Sequence, residues 1–109
     1  MSYKIIPTNL FKNQAKRLCK KYPSLLQELR ELELCLSSDP FSGTYLGHDT
    51  YKIRISIQSK GKGKRGGARI ISFVVKIDQE VYLLTIYDKS EIEIISDKKI
   101  SEMIKMIGH

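Results

Sequence analysis

The chain has 109 residues, 41% hydrophobic and 28% charged, the balance of a globular domain and not of a disordered tail. No stretch approaches the roughly 18 apolar residues that span a bilayer, and the opening MSYKIIPTNLFKNQAKR has too short an apolar run for a signal peptide. A single soluble, cytoplasmic domain over 1–109 with no membrane partner is expected. Its two cysteines, Cys19 and Cys35, lack CxxC or Cys/His spacing, which excludes a disulfide framework and a structural zinc site.

The net charge of +7 is unevenly spread. Residues 1–22 hold six Lys/Arg and no acid, and 51–69 hold seven and no acid, while the remaining segments are net acidic. Blocks of this kind favour a polyanion, because cations that neutralise phosphates release counterions. A solvated basic face without a specific task would carry the same charge.

In chain order, YKII (3–6) is β-compatible and Pro7 ends it. Thr8 or Asn9 can cap a helix in which Leu10, Phe11, Ala15, Leu18, Cys19 and Tyr22 recur at helical spacing. Pro23 stops that helix and can open a second, Ser24 to Leu36, with Leu25, Leu29, Leu32 and Leu36 on one face. The two read as a helical hairpin. Residues 37–50 (SSDPFSGTYLGHDT) read as a loop. From Tyr51 the period becomes two, with Tyr51, Ile53, Ile55 and Ile57 opposing Lys52, Arg54, Ser56 and Gln58. A glycine-rich basic connection (59–68) leads to a strand at 69–77, and Asp78–Gln79 turns it into a hairpin with 81–87. Ser96 or Asp97 can cap a last helix through Ile107. The order β-α-α-β-β-β-α defines an α+β fold: an antiparallel sheet with an N-terminal helical hairpin and a C-terminal helix. With its helices on one side, such a sheet leaves the other face open for a ligand.

Chemistry concentrates between Tyr51 and Arg69. Lys52 and Arg54 leave one strand face about 7 Å apart and can grip a phosphate and its neighbour. At an effective dielectric near 20 they repel by roughly 2 kcal/mol. A lysine base there would need a third cation or partial burial, and Arg69 is the nearest candidate. The same pair could equally be two exposed cations that discourage edge-to-edge pairing. Lys60, Lys62, Lys64 and Arg65, interleaved with glycines, can hold RNA backbone, since glycine lets backbone N–H groups approach an anion. A charged, mobile hairpin loop is the plain alternative. Gly61, Gly63 and Gly66 match GxGxxG, but a strand pattern follows where a dinucleotide site needs a helix. His48, alone in a loop, fits simple exposure better than acid–base work. Cys19 and Cys35 fall near apolar stripes and read as small core residues. Tyr87, Asp88, Lys89 and Glu91 follow the last strand, where functional side chains often stand. No carboxylate cluster suits a divalent metal, so phosphodiester chemistry is expected to run without metal or cofactor, on cations that stabilise extra phosphate charge.

YKIRISIQSKGKGKRGGARII followed by YLLTIYDKSE resembles the HigB-type branch of the RelE/ParE toxin superfamily of type II toxin–antitoxin systems, over essentially the whole chain. The resemblance implies a ribosome-dependent endoribonuclease, an mRNA interferase that inhibits translation by cutting messenger RNA and is silenced by a cognate antitoxin; the ribosome and mRNA are its other partners. In RelE-like enzymes the RNA 2′-hydroxyl attacks the adjacent phosphate. Lys52 then matches the strand lysine proposed as base, Arg54 its cationic neighbour, and Arg69 the arginine that stabilises the transition state. Lys89 falls beside a further catalytic arginine. Ser90 stands where that arginine is expected and Ser96 about where the family has a C-terminal tyrosine, which leaves Lys89 or Tyr87 as possible acid for the leaving group. Two other readings stay open: a ParE-like DNA gyrase poison, and an RNA- or antitoxin-binding relative with weakened catalysis.

Overall fold

The structure is a computed structural model that describes residues 2–60, 67–92 and 94–109. Local chemistry sets the first turn. Thr8 takes an extended conformation and its side chain accepts from the Phe11 N–H, which starts α1 (Asn9–Lys21) directly after β1 (Lys4–Pro7). α1 ends on Lys20 and Lys21, cations favoured by the carbonyl end of a helix. α2 (Leu25–Ser38) follows and, with α1, buries Phe11, Leu18, Leu25, Leu29 and Leu36. The helical hairpin is as expected from the leucine spacing.

The expected loop at 37–50 contains a strand, β2 (Thr44–Gly47), which pairs antiparallel with β3 (Thr50–Ile55). Gly43 and Gly47 flank it at positive φ, and His48 and Asp49 turn it into β3 at φ 51° and 62°, a left-handed pair suited to a tight hairpin. A short 3₁₀ turn (Gln58–Lys60) follows β3. β4 (Ala68–Val75) and β5 (Glu80–Asp88) form the expected antiparallel hairpin, with Gln79 at φ 53° in its turn. α3 (Asp97–Met106) is capped by Ser96, whose side chain accepts from the Lys99 N–H.

The sheet order is β1-β5-β4-β3-β2. The pairs among β2 to β5 are antiparallel, whereas β1 runs parallel to β5, so the first and last strands are neighbours. The α1–α2 hairpin covers one face of the sheet, over Ile53, Ile55, Ile70, Val74, Val81 and Leu83. The opposite face is not left open as expected. Ile71, Leu84 and Tyr87 lie there and α3 covers them with Ile100, together with Phe73, Tyr82 and Met103. Apolar residues on both sides of β4 and β5 require cover on both sides, which is why β4 reads as nearly continuous apolar character.

Among the described residues, no helix is long and apolar enough to cross a membrane.

Candidate nucleic-acid interface

Strand register decides which cations share a face. Arg54 in β3 stands opposite Arg69 in β4, and Arg69 stands opposite Tyr87 in β5. Directly opposed residues carry their Cβ atoms about 5 Å apart on the same side of a sheet, so Arg54, Arg69 and Tyr87 form one row across three strands. Lys52 is one step along on the same side, opposite Ile71. Two guanidiniums and an ammonium therefore leave the α3 side of the sheet, beside the apolar patch that α3 covers.

Exposure differs along the row. Arg54 is exposed and Lys52 half-buried, whereas Arg69 is 5% and Tyr87 3% accessible. An Arg69 Nη1 donates to the Ala68 carbonyl at 3.3 Å. Burial pushes the Tyr87 phenol above its ordinary value, partly offset by the positive charge of Arg69. Tyr87 therefore keeps its proton at neutral pH and is available as an acid and not as a phenolate base. Lys89 is exposed on the turn that follows β5, where Glu91 and Ile92 N–H both donate to the Asp88 carbonyl.

Lys60, expected to hold RNA backbone, lies apart from this group. Its Nζ lies 2.6 Å from Asp88 Oδ1, with the two side chains 8% and 0% exposed. It also donates to the Gly67 carbonyl at 3.1 Å and sits 5.2 Å from the centre of the Tyr22 ring. Asp88 stands opposite Ala68, a residue of the α1–α2 core, so the pair is on the other face of the sheet. Lys62, Lys64 and Arg65 lie outside the described residues.

Asp88 and Tyr22 carry structural roles that the sequence does not single out. The Asp88 carboxylate accepts from Tyr22 Oη at 2.6 Å and from Ser90 N and Oγ at 2.9 and 2.8 Å, besides Lys60. Burial alone would push its pKa up, but the hydrogen bonds from Lys60, Tyr22 and Ser90 outweigh burial and hold it well below the usual carboxylate range. The only advance sign was an aspartate ending an apolar strand. His48 is exposed in the β2–β3 turn. Cys35 is exposed, contrary to expectation, while Cys19 is half-buried and burial raises its thiol.

A second surface lies between the two N-terminal helices. Phe11, Ala15, Cys19 and Leu26 line an apolar groove bordered by Lys12, Lys16, Lys20 and Arg30, with Glu33 as its one acid among the described residues.

A five-stranded α+β sheet covered by helices on both faces defines the structural class. The fold is that of RelE: a mutant of the E. coli toxin RelE in the free state matches with a TM-score of 0.59 and 18% identity, over 98% of this chain and 99% of that one. The RelBE2 toxin–antitoxin complex from Mycobacterium tuberculosis matches with a TM-score of 0.61 and 18% identity, over 81% of this chain and 99% of the other. No protein-family model matches the sequence.

Proposed function

We propose that this protein is the toxin of a type II toxin–antitoxin pair, HigB-like in its strand and loop residues, and that it cleaves translated messenger RNA on the ribosome. The observation that carries the reading is the row Arg54–Arg69–Tyr87 with Lys52 beside it, on a fold shared with toxins. Three cations leaving one sheet face suit a phosphodiester in which charge builds up on phosphorus oxygens.

In this reading the RNA 2′-oxygen attacks the adjacent phosphorus and loses its proton to Lys52 in its neutral amine form, which becomes the ammonium, as the 2′-O–P bond forms and the P–O5′ bond breaks. Arg54 and Arg69 stabilise the extra negative charge, and Lys89 or Tyr87 protonates the departing 5′-oxygen. The products are a 2′,3′-cyclic phosphate and a 5′-hydroxyl. Because Arg54 is exposed and Arg69 is covered, a phosphate meets Arg54 and Lys52 first.

An acidic, amphipathic antitoxin segment is the partner this reading requires. The groove between α1 and α2, apolar at its floor and lysine-bordered at its rim, has the matching chemistry.

The test is a translation extract programmed with a defined message and supplied with the parent, Lys52→Ala or Arg69→Ala, each verified to be folded. The parent is expected to cut the message and each variant to lose about 100-fold or more in rate. Variants that cut like the parent would overturn the site. A DNA-damage response without cuts would replace the reading with a gyrase poison, and ribosome binding without cuts would replace it with a binding-only relative.

A further inference from the structure

Tyr87 faces the same side as Arg69 only because β5 is irregular. Ile71 of β4 is opposite Thr85, but the next residue, Ser72, is opposite Leu83, which leaves Leu84 as an extra residue in β5. Side chains alternate along a regular strand, so residues four apart share a face. Leu83 packs in the α1–α2 core and Tyr87 on the other face, with Ile71, Leu84 and Ile100. The bulge therefore reverses the alternation and turns Tyr87 toward Arg69. It turns Asp88 toward α1 in the same step.

A bulge leaves backbone groups without their ladder partners, and here the flanking strand is also missing. β1 pairs with β5 only from Glu80 to Leu83 and ends at Pro7. Beyond that point α1 supplies the partners. Thr8 N and Oγ1 donate to the Leu83 carbonyl, both at 3.1 Å, and Thr8 Oγ1 lies 3.2 Å from the Leu84 carbonyl. Two turns further on, Gln14 Oε1 accepts from Thr85 Oγ1 at 2.8 Å and from the Ile86 N–H at 3.1 Å. A backbone N–H can only donate, so the Gln14 atom facing it is the oxygen.

We infer that Gln14 is a positioning residue: its amide oxygen stands in for the absent strand beside the β5 bulge and thereby holds Tyr87 on the face of Arg69. This rests on the cleavage reading above for its consequence in catalysis. The placement of Tyr87 is a separate matter that can be measured without any RNA. Gln14 is half-buried in the middle of α1, a position where the helix itself has no use for an amide.

The experiment compares the full-length parent with Gln14→Met, which keeps length but has no strong acceptor, and Gln14→Glu, which keeps an oxygen in place. Three quantities are read: amide exchange at Ile86, nuclear Overhauser contacts from the Tyr87 ring to Ile71 and Ile100, and cleavage of translated message with kcat and KM separated. In Gln14→Met the Ile86 amide is expected to exchange at least about tenfold faster and the Tyr87 contacts to weaken. With Tyr87, and not Lys89, as the acid for the leaving group, kcat should fall about tenfold or more while KM stays within about twofold, because misplacing a reacting group costs rate; an unchanged kcat with lost Tyr87 contacts assigns the acid to Lys89 and leaves the placement standing. Gln14→Glu should stay within about threefold of the parent in kcat. Should Gln14→Met not fold, Gln14→Asn, one methylene shorter, decides the same question.

The inference is overturned if folded Gln14→Met retains Ile86 protection, Tyr87 contacts and rate, or if Gln14→Glu is impaired as much as Gln14→Met. A parent that cuts no message removes the catalytic reading alone. Ile86 exchange and the Tyr87 contacts then decide the placement.

Discussion

At Asp88 a carboxylate with no exposed surface receives four hydrogen bonds, from Lys60, Tyr22 and both polar groups of Ser90. It joins the end of α1, the end of β5 and the residue before the glycine-rich connection. Removing one partner of a buried ion pair strands the other, at a typical cost of about 3–5 kcal/mol. Asp88→Asn and Lys60→Met are each expected to lose about 3 kcal/mol in urea unfolding, and the double variant to lose less than the sum of the two. The sign with pH follows from the lowered pKa of Asp88. Its contribution is fully present above the unfolded-state carboxylate value near 4 and is lost as pH falls through the lower folded value. The gap between parent and Asp88→Asn should therefore shrink progressively below about pH 4, and a pH-independent gap would contradict the assignment. The sequence shows Lys60 only as one cation among several. Its pairing with Asp88 spans 28 positions, which no local pattern reveals.

Among the elements, the three helices follow directly from apolar residues at three- and four-residue spacing and from Thr8 and Ser96 as caps. β3 follows equally from its strict alternation. β2 does not. It is four residues long, Thr44 and Tyr45 are exposed, and its register shifts between Tyr45 and Gly47, so no period of two can show. The bulge in β5 is invisible for a related reason: VYLLTIY is apolar on both faces, and a reversal of alternation leaves no mark in a run that does not alternate. Tyr87 could be named from sequence, while its side of the sheet could not. Gly67 carries the element-scale prediction. Its φ is +48°, and a Cβ there would strike the carbonyl oxygen of Ile55. Gly67 O also accepts from Lys60 Nζ and from the Lys89 N–H, so its place joins β3, β4 and the turn after β5. Gly67→Ala is expected to cost about 1–3 kcal/mol and to lower cleavage by shifting Arg69, two residues on in β4, and Lys89. Thermal unfolding and cleavage assays check the two effects separately.

On the scale of the whole molecule, two features were out of reach of local reasoning. Parallel pairing of β1 with β5 joins residues 76 positions apart, as Lys4 with Glu80, and only closure of the sheet brings them together. α3 crosses to the face opposite the helical hairpin, because β4 and β5 are apolar on both sides. The charge distribution, by contrast, carried real information. The acid-free segment 51–69 contributes Lys52 and Arg54 to one face by the alternation of β3, and the β3–β4 register adds Arg69. The central claim is that this row acts on the backbone of RNA engaged by a translating ribosome. Primer extension on one message, translated and untranslated, with the purified parent and with Arg54→Ala, tests it most directly. The account predicts in-frame cuts by the parent on the translated message alone, reduced about tenfold or more by Arg54→Ala; equal cutting of the untranslated message, or full activity in Arg54→Ala, would contradict it.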